Sequence, residues 1–156
     1  MNTLESALQI ALDAHRGQKD LDGMPVVLHP LRVGMAGKTE SEMIVGFLHD
    51  VVEDTDMGIE DIAKVGFGKE VVEALTLLTH EEGMPYEDYV RRIVESGNEL
   101  ALAVKRNDLK DNIARNDCAT EKKKGIFEKH QKALRMITQT RIESAEKRTG
   151  QQGKNG

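Results

Sequence analysis

The chain has 156 residues, of which 38% are hydrophobic and 31% are charged, and its formal net charge is −5. This length suits one domain with one core. The acidic balance and the lack of a long basic run argue against bulk electrostatic binding to nucleic acid, and no apolar run approaches the roughly 20 residues of a membrane-spanning helix. We therefore expect no nucleic-acid partner and no membrane partner, and the oligomeric state stays open. Because Cys118 is the single cysteine and the N-terminus does not resemble a signal peptide, the expected location is the cytoplasm.

Apolar residues recur at helical spacing along almost the whole chain, and no segment alternates as a strand does. The first predicted helix has one apolar stripe, formed by Leu4, Leu8, Ala11 and His15. It is expected to end near Gly17. The second, HPLRVGMAG, has Pro30 in its first turn, where proline is favoured. The third, from about Glu40 to Asp54, is apolar on most sides, which predicts a central position.

The second half of the chain continues the helical pattern. Helices are predicted at about 59–65, around 67–78, from Tyr86 to about 96, from Asn98 to about Arg115, and after Thr120. Asn98 and Thr120 are the expected N-caps. The segment TGQQGKNG has no apolar anchor, which predicts flexibility. We therefore predict an all-α domain of six to eight helices over residues 1–148, followed by a flexible tail at 149–156.

The third predicted helix ends in GFLHDVVEDT, which brings four ionisable residues close together: His49, Asp50, Glu53 and Asp54. Residues three and four apart are neighbours on a helix, so these side chains form one patch. Three carboxylates this close repel one another, and a divalent cation would compensate the repulsion. Histidine nitrogen and carboxylate oxygen suit Mn, Fe or Zn. The alternative is a helix end that emerges into solvent.

A second polar group lies in AVKRNDLKDNIAR, where helical spacing aligns Lys105, Asp108, Asn112 and Arg115. Such a stripe could bring a metal ligand and anion-binding groups to one site, although a solvated helix face is the alternative. His29 would complete a set of two histidines and two aspartates with His49, Asp50 and Asp108. Alternatively, His29 caps a helix or lies at the surface. Lys19 and Arg32 are further candidate phosphate-binding cations, whereas His80 and His130 belong to no motif and are expected to be structural or at the surface.

In order along the chain, AHRGQ, DGMPVVLHP, FLHDVVEDT and VKRNDLKDN resemble the motifs of one enzyme family. They are similar to the HD-domain hydrolase module of RelA/SpoT-type alarmone enzymes and to the small stand-alone alarmone hydrolases, over about residues 4–116. The resemblance implies an all-α HD-domain helical bundle with one divalent metal ion, commonly Mn²⁺, with Fe, Zn, Co, Ni and Mg as alternatives. It implies metal ligands at four positions: His29, His49, Asp50 and Asp108. It also implies Glu53 and Asp54 as the catalytic pair that orients and activates water, and Asn112 as a substrate contact.

The reaction that the resemblance implies is hydrolysis of the 3′-pyrophosphate of ppGpp or pppGpp, which yields pyrophosphate and GDP or GTP. The substrate-binding residues predicted for a small nucleotide are Lys19, Lys105, Asn112 and Arg115. The base-recognition loop departs from the family, because Asp20 replaces a base-stacking arginine, Asp22 a serine and Val26 a tyrosine. Two alternatives therefore stay open: a hydrolase for a different nucleotide or phosphorylated metabolite, and a non-catalytic nucleotide sensor. The intact Glu53–Asp54 pair favours an enzyme.

Overall fold

The computed structural model describes residues 3–152, and helices make up nearly all of its regular structure. The helices are α1 Leu4–Ala14, α2 Leu28–Met35, α3 Glu40–Leu48, α4 Val51–Asp54, α5 Ile59–Val65, α6 Lys69–Leu78, α7 Tyr86–Ser96, α8 Glu99–Arg115 and α9 Glu121–Gln152. An isolated β-bridge joins Lys19 to Pro25, and no strand occurs within residues 3–152. The predicted all-α fold is confirmed. With α3 and α4 counted as one interrupted helix, the described range contains eight helices, within the predicted six to eight.

The helix ends follow the expected capping chemistry. The side chain of Asn98 accepts a hydrogen bond from the Ala101 backbone at the start of α8, and Thr120 accepts one from Lys123 at the start of α9. Polar caps of this kind satisfy backbone donors that lack a partner within the helix. Since α9 continues to Gln152, the first part of the tail predicted at 149–156 is helical. Its flexibility stays a prediction, and residues 153–156 lie outside the described range.

The continuous helix predicted from Glu40 to Asp54 is wrong in one respect, because α3 ends at Leu48 and α4 begins at Val51. His49 Nδ1 donates a hydrogen bond to the Gly46 carbonyl at 2.7 Å. In an uninterrupted helix, that carbonyl would accept from the backbone of Asp50. The side chain of His49 therefore satisfies a carbonyl at the interruption, and the chain changes direction at the two residues expected to bind a metal.

Helix α3 lies at the centre and packs against α1, α2, α6 and α8. Val45, Phe47, Leu48 and Val51 are at most 2% exposed, as the apolar surface of this segment predicts. Two glycines allow α2 to approach α3 closely: a Cβ on Gly46 would lie 2.6 Å from Gly34 Cα. This contact brings the start of α2 next to the end of α3, and so places His29 beside His49. None of the described helices combines the length and the apolar character that crossing a bilayer requires.

Candidate active site

Three of the predicted metal ligands meet where α2, α3 and α4 converge. One nitrogen or oxygen atom from each of His29, His49 and Asp50 lies within 4.8 Å of the other two. Asp50 Oδ2 is 3.2 Å from His49 Nε2 and 3.8 Å from His29 Nε2. His49 and Asp50 are consecutive residues between α3 and α4, whereas His29 lies in α2, so the tertiary fold brings His29 to the other two. Two imidazoles and a carboxylate are a suitable donor set for a divalent transition metal.

The environment of His49 supports a metal at this position. Because Nδ1 donates to the Gly46 carbonyl, the neutral ring has a free lone pair on Nε2. Nε2 is buried and makes no hydrogen bond of standard geometry to any described residue. Carboxylate oxygens of Asp50 and Asp108 lie 3.2 and 3.4 Å from Nε2, so an unprotonated Nε2 faces negative charge, which coordination to a shared cation would relieve. The residues present therefore fit a divalent metal ion.

Asp108 lies against both histidines, with Oδ1 2.8 Å from His29 Nε2 and 3.4 Å from His49 Nε2. Its other oxygen accepts a hydrogen bond from Lys105 Nζ at 2.8 Å, and Asn112 donates to Oδ1 at 3.0 Å. Burial alone would raise the pKa of Asp108, but Lys105 and the histidines hold it well below its usual value. Its carboxylate is thus negatively charged at neutral pH and lies beside both histidines of the three-residue group.

Asp111 is a functional candidate that the sequence analysis did not assign. Its Oδ2 accepts a hydrogen bond from His29 Nδ1 at 2.7 Å, and Arg32 donates to both of its oxygens, at 2.8 and 3.0 Å. Burial opposes ionisation of Asp111, but His29 and Arg32 lower its pKa to about 2. A carboxylate behind a ligating histidine orients the ring and makes it a stronger base. The only signal in the sequence was an acid beside Asn112 in VKRNDLKDN.

The same carboxylates determine the protonation of His29. Burial alone would lower its pKa, but hydrogen bonds to Asp108 and Asp111 and the charge of Asp50 raise it to about 10. The carboxylates therefore attract positive charge strongly. Protons on the histidines supply such charge, and a divalent cation would also supply it.

Glu53 and Asp54 approach this centre from α4. Glu53 lines the same cavity as His29, His49 and Asp50, whereas Asp54 lines an adjoining recess near Gln18. Burial, and then the charge of Asp50, raise the pKa of both carboxyl groups. Both carboxyl groups are thus subject to the charge of Asp50, but of the two only Glu53 lines the cavity of the ligand group.

The cavity has a volume of about 290 Å³ and extends from the ligand group toward α7 and α9. Its far wall includes aromatic and basic side chains: His80, Tyr86, Tyr89, Lys105, Lys129 and His130. His80 and His130 were expected to be structural or at the surface, and both line the cavity. Their distance along the chain from every motif explains why no sequence pattern identified them.

The remaining predicted substrate residues lie away from the cavity lining. Lys19 is exposed in the loop before α2, and Arg115 is 65% exposed, with Nε 3.9 Å from Asp111. Asp20, which replaces the family arginine, organises this loop by accepting hydrogen bonds from the backbones of Asp22 and Met24. Asp20 therefore has a local role in a turn, and it supplies no cation for stacking on a base.

Comparison with known proteins gives pyrophosphohydrolases and pyrophosphokinases of guanosine nucleotides, although no protein-family model matches the chain. A probable guanosine-3′,5′-bis(diphosphate) 3′-pyrophosphohydrolase of Mycoplasma genitalium is 30% identical over 119 residues, which are 64% of this chain and 16% of that protein. A guanosine-3′,5′-bis(diphosphate) 3′-pyrophosphohydrolase of Aquifex aeolicus is 29% identical over 120 residues, 70% of this chain and 17% of that protein. A GTP pyrophosphokinase of Streptomyces coelicolor is 40% identical over 68 residues, 41% of this chain and 8% of that protein. The chain thus corresponds to less than a fifth of each of these three relatives.

One solved structure matches this chain over a larger share of both chains than these relatives do. It is described as a metazoan ortholog of SpoT that hydrolyses ppGpp and plays a role in starvation responses, and it superposes with a TM-score of 0.72 at 26% identity. The superposition covers 86% of this chain and 84% of that one. The resemblance predicted from the ordered motifs is confirmed: in sequence and in its all-α HD-type fold, the chain is homologous to the (p)ppGpp hydrolases of the RelA/SpoT type.

Proposed function

We propose that the chain is a metal-dependent phosphohydrolase that removes the 3′-pyrophosphate of ppGpp or pppGpp. The observation that carries this proposal is the juxtaposition of His29, His49 and Asp50 with Glu53, an acid of raised pKa, in one cavity. The homologous hydrolases are described by that reaction. Water would add to the phosphorus next to the ribose, the bond from that phosphorus to the 3′-oxygen would break, and a proton would pass to the 3′-oxygen.

The metal that we propose is Mn²⁺, held by His29, His49 and Asp50, with Asp108 as the fourth ligand. A divalent cation at such a site polarises phosphoryl oxygen and makes water more acidic. Hydrogen bonds from the protein orient the two histidine ligands: Asp111 fixes the ring of His29, and the Gly46 carbonyl fixes the ring of His49. Lys105 balances the charge of Asp108 inside the cavity.

Glu53 and Asp54 would accept the proton of the attacking water. Burial raises their pKa, which makes each carboxylate a stronger base than an exposed one. Asn112 lies at the cavity beside Asp108 and is the proposed contact for the nucleoside. Lys19 and Arg115 stay proposed phosphate contacts, from outside the cavity lining.

The test is release of pyrophosphate and GDP from ppGpp by the purified, Mn²⁺-loaded protein. Glu53→Gln should reduce turnover by about 10²-fold or more and leave the bound metal unchanged, whereas Asp50→Ala should remove the metal. Glu95→Gln, an exposed acid on α7, is the matched control. If the protein releases pyrophosphate from neither ppGpp nor pppGpp, the proposal fails.

A different nucleotide or phosphorylated metabolite is the second candidate. It is favoured by the loop before α2, where Asp20 holds a turn and no guanidinium faces the solvent from Lys19 to Val26. A panel of nucleotides in the same assay separates the two candidates. Binding without turnover of any nucleotide would instead support the sensor alternative.

A further inference from the structure

The far wall of the cavity contains buried polar atoms whose hydrogen bonds are missing or poor, Lys105 being the group that acts on Tyr86. Tyr86 Oη and His130 Nδ1 are buried, and neither makes a hydrogen bond of standard geometry within residues 3–152. Tyr86 lies at the start of α7 and His130 in α9, yet their ring centroids are 6.2 Å apart. Two orphaned polar atoms at one cavity wall indicate a missing polar ligand, because each buried atom without a partner is costly.

Positive charge is concentrated at the same wall. Lys129 Nζ lies 4.5 Å from the centroid of the Tyr86 ring, and among the described residues no acid forms an ion pair with it. Lys105 Nζ lies 5.6 Å from the same centroid and 2.8 Å from Asp108 Oδ2, so it stands between this wall and the metal ligands. An anion that extends from the ligand group toward α9 would match these charges and hydrogen-bonding groups.

We propose that Tyr86, Lys129 and His130 form a recess that binds the distal phosphate of the pyrophosphoryl group. This inference rests on the proposed function, and it makes the three residues determinants of specificity for a pyrophosphoryl ester over a monophosphoryl ester. The phosphate under attack lies beside His29, His49 and Asp50. The distal phosphate accepts hydrogen bonds from the hydroxyl of Tyr86, the imidazole of His130 and the ammonium group of Lys129. A monophosphoryl ester leaves the recess empty.

Protonation states agree with this role. Burial raises the pKa of Tyr86, so its hydroxyl keeps its proton and donates. Burial also lowers the pKa of His130 to about 4, so the ring is neutral at pH 7 and can donate from Nδ1. Both groups thus recognise phosphate by hydrogen bonding, while Lys129 supplies charge.

The test compares ppGpp with guanosine 5′-diphosphate 3′-monophosphate as substrates of the Mn²⁺-loaded protein. The double variant Tyr86→Phe with His130→Phe should lower kcat/KM for ppGpp by about 10-fold per lost hydrogen bond. The same variant should change kcat/KM for the 3′-monophosphate by less than about 3-fold. Lys129→Met should act in the same direction, and it is an exposed position where folding is not at risk. Lys124→Met is the control, since that lysine pairs with Glu121 at the start of the same helix.

Binding of inorganic pyrophosphate and of inorganic phosphate, measured by calorimetry, gives a second readout that needs no turnover. The wild-type protein should bind pyrophosphate more tightly than phosphate, and the recess variants should lose that difference while keeping their metal content. If the recess variants lose activity equally on both substrates and lose affinity equally for both ions, the proposed recess is wrong. A wild-type protein that prefers pyrophosphate but hydrolyses no nucleotide would overturn the proposed function and leave the recess standing.

Discussion

Replacing Asp111 by asparagine tests whether the carboxylate behind His29 controls the affinity of the site for metal. The change keeps the shape of the side chain but removes its charge. The asparagine oxygen would be a weaker acceptor than the carboxylate for the hydrogen bond from His29 Nδ1, which is 2.7 Å long in the wild-type protein. Arg32 would also lose its ion pair. Both consequences oppose cation binding, since the ring loses its orienting anion and the guanidinium is no longer neutralised.

The expected magnitude follows from the geometry. Outer carboxylates of this type are typically worth 10- to 100-fold in metal affinity, so the Kd for Mn²⁺ should rise by about that factor. The stability effect should be smaller. The drop in the pKa of Asp111 from 3.8 to about 2 corresponds to at most about 2.5 kcal/mol at neutral pH, and solvent screening reduces that to about 1 kcal/mol.

Calorimetric titration of Mn²⁺ into metal-free protein measures the affinity, and circular dichroism checks the fold. Arg32→Ala is the informative comparison, because it removes the ion pair and keeps the hydrogen bond to His29, so it should lower stability without weakening metal binding. Glu95→Gln should change neither quantity. A Kd for Asp111→Asn within about 2-fold of the wild-type value would refute the orienting role.

Three further predictions concern stability. Gly46→Ala should destabilise the fold by about 1–3 kcal/mol in chemical denaturation, because the added methyl group would collide with Gly34 and separate α2 from α3; an unchanged midpoint would contradict the close approach. Tyr89→Phe should cost about 1 kcal/mol by the same measurement, since its hydroxyl donates to the Leu78 carbonyl at 2.6 Å in the core, and no loss would mean that water replaces the bond. The pKa of His130 is lowered in the folded state to about 4, so its contribution to stability should be lost as pH falls from about 6.5 to 4. His130→Gln should therefore remove roughly 1–2 kcal/mol of the pH dependence in that window, after allowance for screening, and identical pH profiles would contradict the shift.

Much of the fold was accessible from the sequence, because helix periodicity and capping act over a few residues. The prediction of a helix at 59–65 agrees with α5, and Asn98 is the N-cap of α8 as expected. The third helix was only partly predictable. Its apolar residues keep helical spacing on both sides of His49 and Asp50, whereas at the interruption the ring of His49 donates a hydrogen bond to the Gly46 carbonyl, which leaves no periodic signal.

The candidate site was likewise only partly predictable from the sequence. The motifs and their order predicted the group formed by His29, His49 and Asp50, since a ligand set of histidine and aspartate is recognisable by residue type. They did not predict Asp111, whose partner His29 is 82 positions earlier in the chain. Nor did they predict the recess, because Tyr86 and His130 come together only when α7 packs on α9.

The sequence by itself determined the helical class of this protein, the candidate metal ligands and the presence of the acid pair, since each depends on residue type and local spacing. The tertiary structure alone decided how those groups face one another. The glycine contact between α2 and α3 places two histidines side by side, and the interruption before α4 turns Glu53 toward the cavity. The packing of α7 and α8 on α9 decides which basic and aromatic groups complete the cavity, because contacts between distant segments have no signature in a single chain.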